Sequence, residues 1–218
     1  FQKMAPTTRV STIPPALDLL PYTELNVPPQ PGTMVFIGAL DWHVNDDAAT
    51  WMAREVMPRI LNRYPDARLQ IVGKNPGERL RGLANPSIEV HPNVESVLPY
   101  LSRAQIVLAP LRYGSGVQYK VIQGMAAAKP LVLTPTSATG ICAREGEHFL
   151  LGQNTDSYAA ACCTLLENPE RCREIGLRAR ALATSHYSQQ TLSSRIEDAM
   201  MIAVREKQRK RGEQCQPS

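Results

Sequence analysis

No apolar run in this chain approaches the roughly 18 residues that cross a bilayer. Its five cysteines (Cys142, Cys162, Cys163, Cys172 and Cys215) are odd in number and contain no C-x-x-C pair. That pattern removes a disulfide framework and points to a reduced, cytoplasmic setting. The four histidines, His43, His91, His148 and His186, stand far apart, without the close His or Cys spacings of a zinc site. Neither a metal nor a cofactor is expected. A P-loop pattern is missing, and the first strand-to-helix turn, Gly38-Ala39-Leu40, lacks the G-x-G-x-x-G of a dinucleotide fold, so ATPase and dehydrogenase chemistry have no support. Nor is there a serine or cysteine nucleophile motif, or an internal repeat. The chain begins at Phe1 without a basic-then-apolar leader, which reads as a piece of a longer protein rather than a secreted one.

Aromatics are sparse, at 6% of 218 residues, yet 43% of the residues are hydrophobic, enough for an ordinary core. The net charge of +4 is local: five cations between 205 and 211, set against Glu206, account for all of it. Nucleic-acid binding needs a basic excess over a folded face, and the body of the chain is neutral. No nucleic-acid partner is expected.

The most informative stretch runs from Leu108 to Thr134, LAPLRYGSGVQYKVIQGMAAAKPLVLT. Ile106 to Ala109 reads as a buried strand, Gly114-Ser115-Gly116 as a tight loop, and Val117 to Ala128 as a helix with Val121 and Met125 on its apolar face. A helix start leaves backbone N–H groups unpaired at the positive end of the dipole, so a glycine-rich turn there lets a phosphate approach. Lys120, in the first turn, could reach the same anion. Ser115-x-x-Gln118 also has the spacing of a capping box, a purely structural use of the same residues.

Other segments follow one rhythm. Met34 to Ile37, Leu69 to Val72, Ile88 to His91 and Leu131 to Thr134 read as strands, and helical patterns separate them. Asn45 or Asp46 is the expected cap of the first long helix, which Pro58 should kink. Thr155 to Leu166 and Pro169 to Ala183 read as helices broken at Asn168-Pro169. Leu192, Ile196, Met200 and Val204 mark a last amphipathic helix whose apolar face is expected to pack on the domain, although its basic end also fits peripheral contact with an anionic membrane. Residues 1–30 read as a linker, 31–187 as the folded domain and 188–218 as the helix and basic tail. Strands alternating with long helices give an α/β, Rossmann-like three-layer domain with a mainly parallel sheet. Gly38, Gly73 and Gly114 each follow a strand, so all three belong on the rim where such sheets bind ligands.

Gly114-Ser115-Gly116, Lys120, Met125-Ala126 and Lys129-Pro130-Leu131-Val132-Leu133-Thr134 together resemble the nucleotide-sugar loop of the group 1 glycosyltransferases, retaining enzymes of GT-B architecture. Ile13-Pro14-Pro15-Ala16-Leu17-Asp18 is similar to the segment that enters their second domain, and Gly38-x-x-Asp41-Trp42-x-x-Asn45 to the loop beside the donor phosphates. In the family two carboxylates eight residues apart frame the loop and contact the donor's sugar and ribose; Ser115 and Gln123 stand there in this chain. The glycine usual before Lys-Pro is Ala128, strained by roughly 1 kcal/mol or more if its backbone is left-handed.

The resemblance implies a domain that holds a nucleotide diphosphate sugar. Lys120 and Gln123 would take the catalytic positions, and Gly38, Gly73, Lys74, Asn93, Val94, Gly114, Ser115, Gly116 and Val117 would contact the donor. It also implies a further, N-terminal acceptor-binding domain as partner, and sugar transfer to an acceptor hydroxyl with retained configuration, as in polysaccharide or glycoconjugate synthesis. Two alternatives remain open: a catalytically degenerate domain kept for binding or assembly, and a nucleotide-sugar epimerase. The second would need acid and base side chains in the cleft, where this rim has few.

Overall fold

The computed structural model describes residues 10–25 and 27–214, with side chains to residue 208. Residues 1–9 of the expected linker, Cys215, and the side chains of Arg209, Lys210 and Arg211 in the expected basic cluster lie outside the described residues.

A short helix α1 (Leu20–Thr23) precedes β1 (Thr33–Ala39). Helix α2 (His43–Trp51) then runs through a π-helical turn (Met52–Val56) into α3 (Met57–Leu61). Next come β2 (Arg68–Lys74), α4 (Glu78–Arg81), β3 (Ile88–Pro92), α5 (Leu98–Arg103) and β4 (Ile106–Ala109). The stretch 108–134 gives α6 (Tyr119–Ala126) and β5 (Leu131–Leu133), and α7 (Pro135–Ala138) follows it. The chain continues through β6 (Leu150–Leu151), α8 (Thr155–Glu167), α9 (Pro169–Tyr187) and α10 (Gln189–Gln214).

The six strands form one sheet in the order β3-β2-β1-β4-β5-β6, every pair parallel. Short runs such as Met34-Val35-Phe36-Ile37 are apolar on both faces because helices cover both. Met34, Phe36, Leu69 and Ile71 face a core shared with α2, α3 and α8. Val35, Ile37 and Val107 face another shared with α6 and α9. The order turns back between β1 and β4, and at such a switch point the loops beyond the carboxyl ends part to leave a crevice.

Three local readings need correction. Asn45 does not cap the first long helix. That helix starts at His43 without a side-chain cap, and Asn45 is buried inside its first turn. Helix α6 starts at Tyr119 rather than Val117, with no side-chain cap. Gly114 at φ 126° and Gly116 at φ 84° hold the loop out of helical geometry, so the Ser115 capping box does not form. The apolar stripe of α10 is not packed away either, since Ile196, Met200 and Val204 are exposed. Pro58 lacks the N–H that a helix interior requires, and the helix changes to a π turn just before it.

Candidate functional site

Gly38 and Gly73 lie side by side in register at the carboxyl edge of β1 and β2. A Cβ on Gly73 would stand 1.7 Å from the Gly38 carbonyl oxygen, so only glycine allows this contact. A Cβ on Gly38 would come within 2.9 Å of Asn45 Cγ. The space it leaves lets Asn45 fold in over the strand end, where its Nδ2 donates to Ala39 O at 2.9 Å. With its amide thus oriented, Asn45 turns Oδ1 toward α6.

Lys120 meets it there. Its Nζ donates to Asn45 Oδ1 at 2.6 Å and lies 4.3 Å from the centroid of the Phe36 ring. Phe36 belongs to the core of α2, whereas the neighbouring Val121 and Ile122 belong to the core of α6, so the Lys120 stem crosses the sheet edge between layers. Only 8% of the residue is exposed, and among the described residues no carboxylate pairs with it in an ion bridge. Burial lowers its ammonium pKa to about 7, because taking a charge out of water without a counterion disfavours the charged form.

Above this lysine runs the loop from Arg112 to Gln118. Two contacts anchor its first residues on α2: Arg112 forms a two-point ion pair with Asp47, and the Tyr113 ring stacks on His43 with centroids 5.8 Å apart. Gln118 Nε2 donates to Ser137 Oγ at 3.1 Å at the far end. Between these anchors, no backbone amide from Gly114 to Lys120 has an acceptor among the described residues. Gly114, Ser115 and Gly116 are exposed. A row of free N–H groups leading into a helix start, with a carboxylate-free lysine behind it, is an electrostatic trap for an anion.

Beside the loop, on the β1–β2 side, opens a cleft of about 680 Å³. Of the expected donor contacts, Gly38, Gly73, Lys74 and Val94 line it. Asn93 sits at its edge, its N–H donating to Gly73 O and its Oδ1 accepting from Asn75 N, which ties two loops together. Gly114, Ser115, Gly116, Val117, Lys120 and Gln123 are not part of the cleft wall; they form the neighbouring anion loop and its support. Gln123 donates through Nε2 to the Tyr22 hydroxyl at 2.9 Å. Tyr22, together with Leu17, Asp18 and Pro21, closes the cleft from the linker side. Sequence reasoning missed that wall, because nothing in a proline-rich linker marks a tyrosine as part of a site. Trp42 is 60% exposed on the β1–α2 turn and outside the cleft wall.

A second cavity, of about 630 Å³, lies at the amino edge of the sheet among Pro31, Tyr64, Pro130, Leu166 and Pro169. It is close to none of the free amides. Among the described residues, no group of three His, Cys, Asp or Glu could hold a metal ion, and no helix is long and apolar enough to cross a membrane.

A sequence model described as "Glycosyl transferases group 1" matches residues 31–168, which include every strand and the whole anion loop. The chain belongs to the group 1 glycosyltransferases. A D-inositol 3-phosphate glycosyltransferase from Rhodococcus erythropolis is 24% identical over 228 aligned residues, covering 92% of this chain and 50% of that protein. This chain therefore spans about half the length of that curated relative. Among solved structures, HepE from Anabaena in complex with UDP and glucose superposes with a TM-score of 0.66 at 14% identity, over 85% of this chain and 55% of its own. The C-terminal domain of the group 1 glycosyl transferase LpcC from Francisella tularensis gives a TM-score of 0.60 at 15% identity, over 81% of this chain and 96% of its own. The fold is thus the Rossmann-like one of that C-terminal domain.

Proposed function

We propose that this chain is the donor-binding domain of a glycosyltransferase, holding a nucleotide diphosphate sugar with its phosphates on the Gly114–Lys120 amides and its nucleoside in the Tyr22 cleft. The observation that carries the reading is the row of unpaired amides over a buried lysine at the switch point. As the bond to the sugar breaks, charge grows on the departing diphosphate, and fixed N–H dipoles aimed at it stabilise that charge. The family resemblance adds transfer to an acceptor hydroxyl with retained configuration, in polysaccharide or glycoconjugate synthesis. It also adds an N-terminal domain that brings the acceptor to the anomeric carbon, at the cytoplasmic face of the membrane.

Isothermal titration with UDP, GDP and their sugars tests the reading. Binding of a nucleoside diphosphate well ahead of its nucleoside is expected, and equal or undetectable binding of all of them would refute it. A second reading is favoured by one feature: Ser115 and Gln123 leave the loop without a carboxylate, and one Gln123 N–H already goes to Tyr22. A domain kept for binding alone would hold a donor and yet stay inactive when an N-terminal domain is supplied in trans or by fusion. Measurable transfer in that experiment would exclude it. The same titration followed by analysis of the sugar would expose an epimerase.

A further inference from the structure

The wall that the linker adds to the cleft carries chemistry that the loop motifs do not explain. Tyr22 is 8% exposed and lines the cleft, and its hydroxyl accepts a hydrogen bond from Gln123 Nε2 at 2.9 Å. The direction of that bond decides what the phenol can do. Because the carboxamide gives the proton, the phenol's own proton is left over, and no acceptor for it exists among the described residues. A nearly buried hydroxyl with an unspent proton, on a residue that lines a cleft, is matched to an acceptor that arrives with a ligand. Four residues earlier Asp18 also lines the cleft. Its Oδ1 accepts from Leu20 N at 3.1 Å, which fixes the carboxylate and leaves Oδ2 to accept elsewhere. Both residues line the same cleft, and one donor with one acceptor is the pair of groups that a vicinal diol can use, since one of its hydroxyls accepts a hydrogen bond while the neighbour gives one.

We infer that Tyr22 and Asp18 bind the ribose diol of the nucleotide, with Gln123 as the positioning residue that keeps the Tyr22 phenol in its proton-donating orientation. The inference rests on the nucleotide-binding reading above, and it moves the ribose contact from position 123, where the family has a carboxylate, to the linker wall. It also makes an unusual demand. A glutamate at 123 has no N–H to give, so Tyr22 would donate to it and turn its proton out of the cleft. Restoring the family's carboxylate should then damage ribose recognition in this chain.

The test is titration of the 218-residue chain with UDP and GDP and with their 2′,3′-dideoxy counterparts, checked by thermal melting for folding. The wild type should prefer the ribonucleotide by about 10-fold or more, the worth of a charge-assisted and a neutral hydrogen bond lost together. Tyr22→Phe and Gln123→Glu should each reduce that preference several-fold, leaving affinity for the dideoxy nucleotide nearly unchanged, which a merely structural role would not do. Asp18→Asn, at an exposed position, supplies the same readout if Tyr22→Phe fails to fold. Equal binding of ribose and dideoxy forms by the wild type, a preference untouched in Tyr22→Phe, or a preference raised by Gln123→Glu would each overturn the inference while leaving nucleotide binding intact. Absence of any nucleotide binding would instead remove the reading beneath it.

Discussion

A buried lysine that titrates near neutrality makes diphosphate binding depend on pH in a way that can be worked out beforehand. Lys120 has one protein acceptor, Asn45 Oδ1, and its ammonium pKa is lowered to about 7 by burial. An anion on the Gly114–Lys120 amides interacts with the charged form, so apparent affinity scales with the fraction of molecules carrying that charge. With a pKa of about 7 that fraction falls from roughly a quarter at pH 7.5 to about 1% at pH 9, so UDP affinity should fall about 5-fold to 15-fold across the window, the neutral form keeping the weaker binding that the amides alone give. The terminal phosphate, with its second pKa near 6, is already fully ionised over that range and does not contribute. Lys120→Met, which keeps the apolar stem, should weaken UDP about 10-fold to 100-fold at pH 7 and abolish the pH slope. Uridine should bind the variant and the wild type alike. Titrations at four pH values with both proteins are sufficient. A flat wild-type profile, or a slope that survives in Lys120→Met, would refute the placement of Lys120 behind the phosphate; equal losses for UDP and uridine would make it a purely structural residue.

Without ligand the same shift acts on stability with a definite sign. The unfolded chain holds its proton up to the ordinary lysine range and the folded chain releases it near 7, so stability should rise with pH from about 7 upward. Lys129, lowered to about 8 by burial and by Arg180, adds in the same direction, and thermal melts from pH 7 to 9.5 should show a slope that Lys120→Met reduces. Gly73→Ala drives a methyl into the Gly38 carbonyl oxygen and should cost about 3 kcal/mol or more, read as a lowered urea midpoint. Ala128 sits at φ 51°, so Ala128→Gly should stabilise by about 1 kcal/mol in the same assay, and a loss instead would mean that the methyl's packing outweighs its strain.

The order of strands and helices could be read from the sequence because parallel strands buried on both faces are short apolar runs, and the glycines at their ends are demanded by close approach. Gly38 and Gly73 are legible from their places after a strand, although the close approach that requires them is not, and Ala128 is legible as a candidate for strain from its place before Lys-Pro. What escaped detection depends on contacts distant in the chain. Lys120 looks like a rim cation because it falls in the first turn of a helix, yet its stem crosses the sheet edge to a residue 75 positions away. Asn45 has the composition of a cap, and only the vacancy left by Gly38 explains why it turns inward. Tyr22 meets Gln123 across 101 residues, and no local pattern in a proline-rich linker announces such a pairing. The α10 stripe illustrates the opposite limit: periodicity shows that Ile196, Met200 and Val204 share a face without saying whether anything covers it.

A crystal of the chain soaked with UDP puts the donor-binding claim to its most direct test, because two cavities of similar size lie at opposite edges of the sheet. The expected density has the phosphates within hydrogen-bond distance of the Gly114–Lys120 amides and the ribose against Tyr22. Density for UDP in the amino-edge cavity between Pro130 and Pro169, or none at the switch point under saturating ligand, would contradict it.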